Sequence, residues 1–129
     1  MNIADIATEE YIQVDAGDRL GKVRSLFDRE NPKGIVVIDD GEYSGILTER
    51  QLLQSHIEDD AKVQVLARSN VPRIGREDGI REVARMLVEG GTKVAPVFED
   101  GTLWGIVTED AILQAVISNL EVLTVEQIY

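Results

Sequence analysis

The sequence predicts a mixed α/β (α+β) fold in which one β-α-β-β-α unit is written twice. Three observations carry this expectation. First, a gapless shift of sixty residues carries Asp18 onto Asp78, Val23 onto Val83, Asp40-Gly41 onto Asp100-Gly101 and Thr48-Glu49 onto Thr108-Glu109. Self-similarity at one fixed register is the signature of internal duplication. Second, each half holds an acid-Gly turn between two apolar runs, Asp39-Asp40-Gly41-Glu42 and Glu99-Asp100-Gly101-Thr102. That pattern is a hairpin signal. Third, each half holds a short strand running straight into a helix, Gly45-Ile46-Leu47-Thr48-Glu49 and Gly105-Ile106-Val107-Thr108-Glu109.

Each unit opens on a lead-in, Ile3 to Ala7 and Val63 to Ala67, read as a helical turn. A brief strand follows around Ile12–Val14 and around Pro72–Ile74, with Pro72 restricted to a strand edge or start because it donates no N–H. Asp18 and Asp78 are read as N-caps of the next helix. Leu20, Val23 and Phe27 repeat on one face of it, as do Ile80, Val83, Ala84 and Leu87, which is the amphipathic helix period. Asn31-Pro32 and Gly90-Gly91 end the two copies. The continuous apolar run Gly34 to Ile38 reads as a buried strand, matched by Lys93 to Phe98. The return strands are Tyr43 to Leu47 and Leu103 to Val107. The final helices run from Glu49 to about Ile57 and from Glu109 to about Leu120.

Thr48 and Thr108 stand where those last helices begin, and a Thr oxygen there accepts from an orphan N–H of the first turn. Gln51 completes a capping box with Thr48, whereas Ala111 leaves the second cap one-sided. The sequence boundaries expected are 1–60 for the first repeat and 61–122 for the second. Val125 to Tyr129 resembles the lead-in Ile3 to Ala7, and residues 123–129 are read as either a C-terminal extension or the start of a further repeat. A unit of about sixty residues buries little surface alone. The two copies are therefore expected to pack sheet against sheet about a pseudo-twofold axis.

Composition narrows the function classes. Hydrophobic residues make up 43% of the 129 residues and aromatics only 5%, so the interior is aliphatic. The net charge of −11 opposes nucleic-acid phosphates and anionic membranes, so neither is expected as a partner. No apolar run reaches the roughly 20 residues that span a bilayer. The start Met1-Asn2-Ile3-Ala4-Asp5 has no basic segment and apolar middle of a signal peptide, so a cytoplasmic location is expected. With no Cys there is neither disulfide nor thiolate chemistry. His56 is the only histidine, and there is no P-loop, Gly-x-Gly-x-x-Gly or nucleophile elbow. Neither a catalytic residue nor a metal site is expected, and the chain is not read as an enzyme.

The paired Gly-apolar-apolar-Thr junctions, set a domain length apart inside two β-α-β-β-α units, resemble the tandem cystathionine-β-synthase (CBS) domain pair, or Bateman module. The resemblance covers nearly the whole chain and includes Ala95-Pro96-Val97-Phe98-Glu99 in the second repeat, where the first has Val36 in place of the Pro. It implies a regulatory module that binds an adenosine-containing ligand (AMP, ADP, ATP or S-adenosylmethionine) between its repeats and modulates a partner protein. No cofactor is required by it. It implies that adenine lies against Val36, Val37 and Ile46 in one copy and Ala95, Pro96, Val97 and Ile106 in the other. Thr48 and Thr108 are implied to receive phosphate, consistent with the anion affinity of helix N-termini. Gln13 and Arg73 stand where the family often has Thr in its first strand. Gln51 and Ala111 stand where it typically has a ribose-binding Asp. Glu49, Glu109 and Asp110 repel phosphate at both helix starts, and Arg50 offsets this in the first. The lost Asp positions favour an alternative, a ligand-independent dimerisation or docking module. In both readings a homodimer is expected, through faces carrying Leu53, Ile57, Val116, Ile117 and Leu120.

Overall fold

The structure is a computed structural model that describes the backbone of residues 1–128 and the side chains of residues 1–118. The expected apolar position Leu120 and the side chains of the 123–129 segment lie outside the described residues. Among the described residues, six strands and four α-helices follow one another as β1 (Gln13–Asp15), α1 (Leu20–Glu30), β2 (Ile35–Asp39), β3 (Glu42–Leu47), α2 (Glu49–Gln54), β4 (Ile74–Gly75), α3 (Ile80–Gly90), β5 (Val94–Glu99), β6 (Thr102–Thr108) and α4 (Glu109–Ile128), with single 3-10 turns at Ile3–Asp5 and Val63–Val65. Each repeat forms a three-stranded mixed sheet, in the orders β1-β2-β3 and β4-β5-β6. The first pair in each sheet is parallel and the second is an antiparallel hairpin.

The hairpin turns close as the sequence predicts. Asp40 and Gly41 both have positive φ (52° and 81°), and so do Asp100 and Gly101 (50° and 78°). Two successive left-handed residues make the turn whose twist matches that of the flanking strands. The first long helix of each repeat ends on a left-handed residue, Asn31 and Gly91.

The starts of α1 and α3 differ from expectation. Their N-caps are Arg19 and Gly79, neither with a side-chain cap bond. Asp18 and Asp78 turn backwards instead: they accept from the N–H groups of Asp15 (2.9 Å) and Gly75 (2.8 Å) and so fasten the strand-to-helix turn. The orphan donors of α1 go to main chain. Leu20 N–H donates to Ala61 O and Gly21 N–H to Asp59 O. Helix α2 stops three residues short of Ile57, and Ile57 O accepts from Arg24.

Contacts divide the chain into two compact units, Glu10–Val71 and Met1–Glu9 with Pro72–Tyr129. The repeat and the compact unit are thus out of step by one lead-in. In the first unit, the lead-in of the second repeat docks through Val63 N–H to Asp18 O and Gln64 N–H to Ala16 O, with Val63 fully buried. In the second unit, the chain's own start docks through Ile3 N–H to Asp78 O and Ala4 N–H to Arg76 O, with Ile3 fully buried. The core of the Glu10–Val71 unit joins Val14, Leu20, Val23, Phe27, Ile35, Val37, Leu47, Leu52 and Val63.

Candidate functional site

Strand pairing sorts the candidate residues. Residues paired across strands share a face, and neighbours along a strand point to opposite faces. In the Glu10–Val71 unit, Gln13 pairs with Val36 and Val36 with Ile46. Ile46 in turn bridges to Arg68, exchanging hydrogen bonds of 3.0 and 2.9 Å. Gln13, Val36, Ile46 and Arg68 therefore form one row on one face. In the second unit, Pro96 pairs with Ile106, which exchanges two 2.9 Å hydrogen bonds with Thr8. Pro96, Ile106 and Thr8 form the corresponding row, with Arg73 one residue before the strand that would extend it.

The pleat divides the set that the resemblance implied. Val37 points into the helix-covered core with Val14 and Leu47, away from Val36. Val97 pairs with Ile74 and Gly105, and Ala95 with Val107, so both face away from Pro96. The geometry brings together Gln13, Val36 and Ile46, and separately Pro96 and Ile106. It does not bring Val37, Ala95 or Val97 with them. The middle of each row is buried, with Val36 at 1% and Ile106 at 7% exposure, while Gln13 and Arg73 are exposed.

Sequence reasoning missed Arg68 and Thr8. The sixty-residue shift does place them at equivalent positions, but nothing in the chain announces that the lead-ins add to the edges of β3 and β6. The one local signal is Gly45 and Gly105. A Cβ on Gly45 would fall 2.7 Å from Arg68 O, and one on Gly105 would collide with Thr8 O. The glycines of the repeated junction clear the path of the lead-in backbone.

The two caps differ chemically. Thr48 and Gln51 close a complete box: Gln51 N–H donates to Thr48 Oγ1 (3.4 Å), and Thr48 N–H donates to Gln51 Oε1 (2.7 Å). The Thr48 hydroxyl also donates to Gln51 Oε1 (3.2 Å), and Gln51 Nε2 reaches Leu66 O (3.5 Å). The polar groups of both side chains are engaged. Thr108 Oγ1 accepts from Ala111 N–H (3.2 Å), and no hydrogen bond among the described residues uses its hydroxyl proton. Arg50 is exposed on the first turn of α2. Arg73 lies over the Phe98 ring at 4.9 Å, and Arg76 over Trp104 at 4.9 Å while pairing with Glu99 (2.7 Å). Such stacking steadies a guanidinium over an aromatic face.

Among the described residues, no group of three or more His, Asp or Glu is placed to hold a metal ion. No helix among them is long and apolar enough to cross a membrane.

A family model described as the CBS domain matches the chain twice, over residues 3–58 and 61–118. The chain is 28% identical over 122 residues to an A-adding tRNA nucleotidyltransferase from Aquifex aeolicus, a match covering 94% of this chain and 14% of that protein. A CBS-domain containing protein from Agrobacterium tumefaciens superposes with a TM-score of 0.80 at 24% identity, over 88% of this chain and 92% of that one. The cytosolic domain of the Mg2+ channel MgtE, solved in complex with ATP, superposes with a TM-score of 0.74 at 28% identity, over 88% of this chain and 48% of that one.

Proposed function

The chain belongs to the CBS-domain family, and from that premise we propose that it is a regulatory module sensing an adenine nucleotide or adenosyl compound and modulating a partner protein. The observation that supports this best is the recurrence in both units of one arrangement: an apolar row ending beside a Thr-capped helix start. An adenine ring suits the apolar residues Val36 and Ile46, or Pro96 and Ile106, and a phosphate suits a helix N-terminus. The ATP complex of the MgtE domain supports the ligand class. Of the two caps, Thr108 is better suited to a phosphate, because its hydroxyl proton is uncommitted and α4 is a long helix. Each unit is proposed to supply its own cation to a phosphate bound there, Arg73 in the unit of Thr108 and Arg50 in the unit of Thr48, and Gln13 lies at the end of its row for a ribose or base edge. No catalytic step is proposed.

Calorimetric titration with AMP, ADP, ATP, S-adenosylmethionine and NAD tests this reading. Saturable binding of at least one at micromolar to millimolar concentration is expected, with a rise in melting temperature by mass action. Silence with all five would transfer support to the second reading, a ligand-independent dimerisation or docking module. A specific observation favours that reading: Thr48 and Gln51 satisfy one another, and Ala111 offers no polar group. Under either reading the module is proposed to be a homodimer. Leu53 is 74% exposed on α2, and Leu113 and Ile117 lie exposed one turn apart on α4. Light scattering at micromolar concentration checks this, and a monomer would refute it.

A further inference from the structure

We propose that a ligand in the Glu10–Val71 unit is read out by the docking of the lead-in segment, a turn at Val63–Val65 that runs on to an isolated bridge between Arg68 and Ile46. This inference rests on the adenosyl-phosphate reading above.

Arg68 belongs to the lead-in, not to the sheet that the repeat itself supplies. Its main chain is fixed to the sheet edge by the two hydrogen bonds exchanged with Ile46. That pairing sets its side chain on the face of Ile46, Val36 and Gln13, where it is the one cation of the row. Its Nε–H reaches only Asn70 Oδ1, at 3.4 Å and two residues along the same segment. The remaining guanidinium N–H groups are engaged by no hydrogen bond or ion pair among the described residues. An anion lying along the row is therefore gripped by a group that is in position only while the lead-in is docked.

A second link runs through the cap. Gln51, whose Oε1 holds the Thr48 N–H, donates from Nε2 to Leu66 O in the same lead-in. The cation of the row and the cap of α2 thus both connect to residues 66–68. Gly45 leaves no slack, because the lead-in carbonyl lies where any side chain would stand. Val71 then passes directly into Pro72 and the second unit, so the element that feels the ligand is also the covalent connection onward.

The coupling is reciprocal by linkage: a ligand that requires the docked lead-in must stabilise it. At a free ligand concentration of about 100 times Kd, the open form of a segment that binds only when docked becomes about 100-fold less populated. Hydrogen exchange on the full chain, with ATP as the probe at that ratio set by calorimetry, measures this. The amides of Ile46 and Arg68 are expected to exchange about 100-fold more slowly with ATP. Arg68→Gln, which keeps both main-chain bonds, is expected to weaken ATP binding at least tenfold and to remove the slowing. Calorimetric binding of ATP with exchange at Ile46 and Arg68 changed by less than about twofold overturns the coupling alone. No binding of ATP overturns the coupling while the ligand class stands if another of the five ligands binds, and silence with all five overturns both.

Discussion

Replacing Gly45 by Ala tests how the lead-in is seated. The added Cβ would stand 2.7 Å from Arg68 O and 3.0 Å from Arg68 C, with Ala67 Cβ at 3.5 Å. Those first two atoms are backbone, so no side chain can rotate away. Either the strand bearing Ile46 or the lead-in must move by several tenths of an ångström. Overpacking of this kind costs about 1–3 kcal/mol. If the lead-in moves, the two hydrogen bonds between Ile46 and Arg68 also weaken, each contributing about 0.5–1.5 kcal/mol. The expected loss is about 2–4 kcal/mol, a large share of the 5–15 kcal/mol typical of a domain. For a chain of this size it lowers the melting temperature by roughly 8–15 °C. Gly79→Ala is the control: nothing lies within 4 Å of its Cβ, and its φ of −76° suits any residue. That variant meets no clash and loses only the N-cap preference of Gly over Ala, so it is expected to stay within about 1 kcal/mol of the parent. Urea melts of the two variants decide the matter. A Gly45→Ala protein as stable as the Gly79→Ala protein would refute the argument that the glycine exists to admit the lead-in.

The caps give a complementary pair of expectations. Gln51→Ala strips the acceptor from the Thr48 N–H and is expected to cost about 1 kcal/mol, whereas Ala111→Gln supplies the missing half of the second box and is expected to raise stability by a few tenths, both read from denaturant midpoints. Asp18 gives a pH signature, since the Asp15 N–H and then the Lys22 ammonium hold its carboxyl below the usual carboxylate range, against a smaller opposing effect of burial. A folded-state value below the unfolded one means that the contribution is present above the unfolded value near 4 and is lost as pH falls through the folded one. Asp18→Asn is therefore expected to destabilise at pH 7 by less than about 1 kcal/mol, the group being close to solvent, with the gap to the parent closing below about pH 4. A gap independent of pH would show that the carboxylate charge is irrelevant to that turn.

What the sequence disclosed and what it hid divide along the range of the interactions. The hairpin turns were legible because Asp40-Gly41 and Asp100-Gly101 encode a left-handed pair locally. The register of α1 was legible because Leu20, Val23 and Phe27 meet the core at helical spacing. The Thr48–Gln51 box was legible because it spans three residues. Asp18 was misplaced as a helix cap because an Asp before a helix fits two turns equally well, and only the backward bond to Asp15 distinguishes them. The candidate site was half legible. Adjacent Val36 and Val37 look alike in an apolar run, and only the strand register sends one to the row and the other to the core. Arg68 and Thr8 were invisible because their partners, Ile46 and Ile106, are long-range and main-chain. Main-chain pairing carries no side-chain preference except where a Cβ is forbidden. Gly45 and Gly105, placed at the same point of both repeats, were therefore the sequence's only record of where the lead-ins go. The repeated motif encodes two things at once, a cap for the helix that follows it and a clearance for the backbone that crosses it. The second is what ties the row to a segment outside its own sheet.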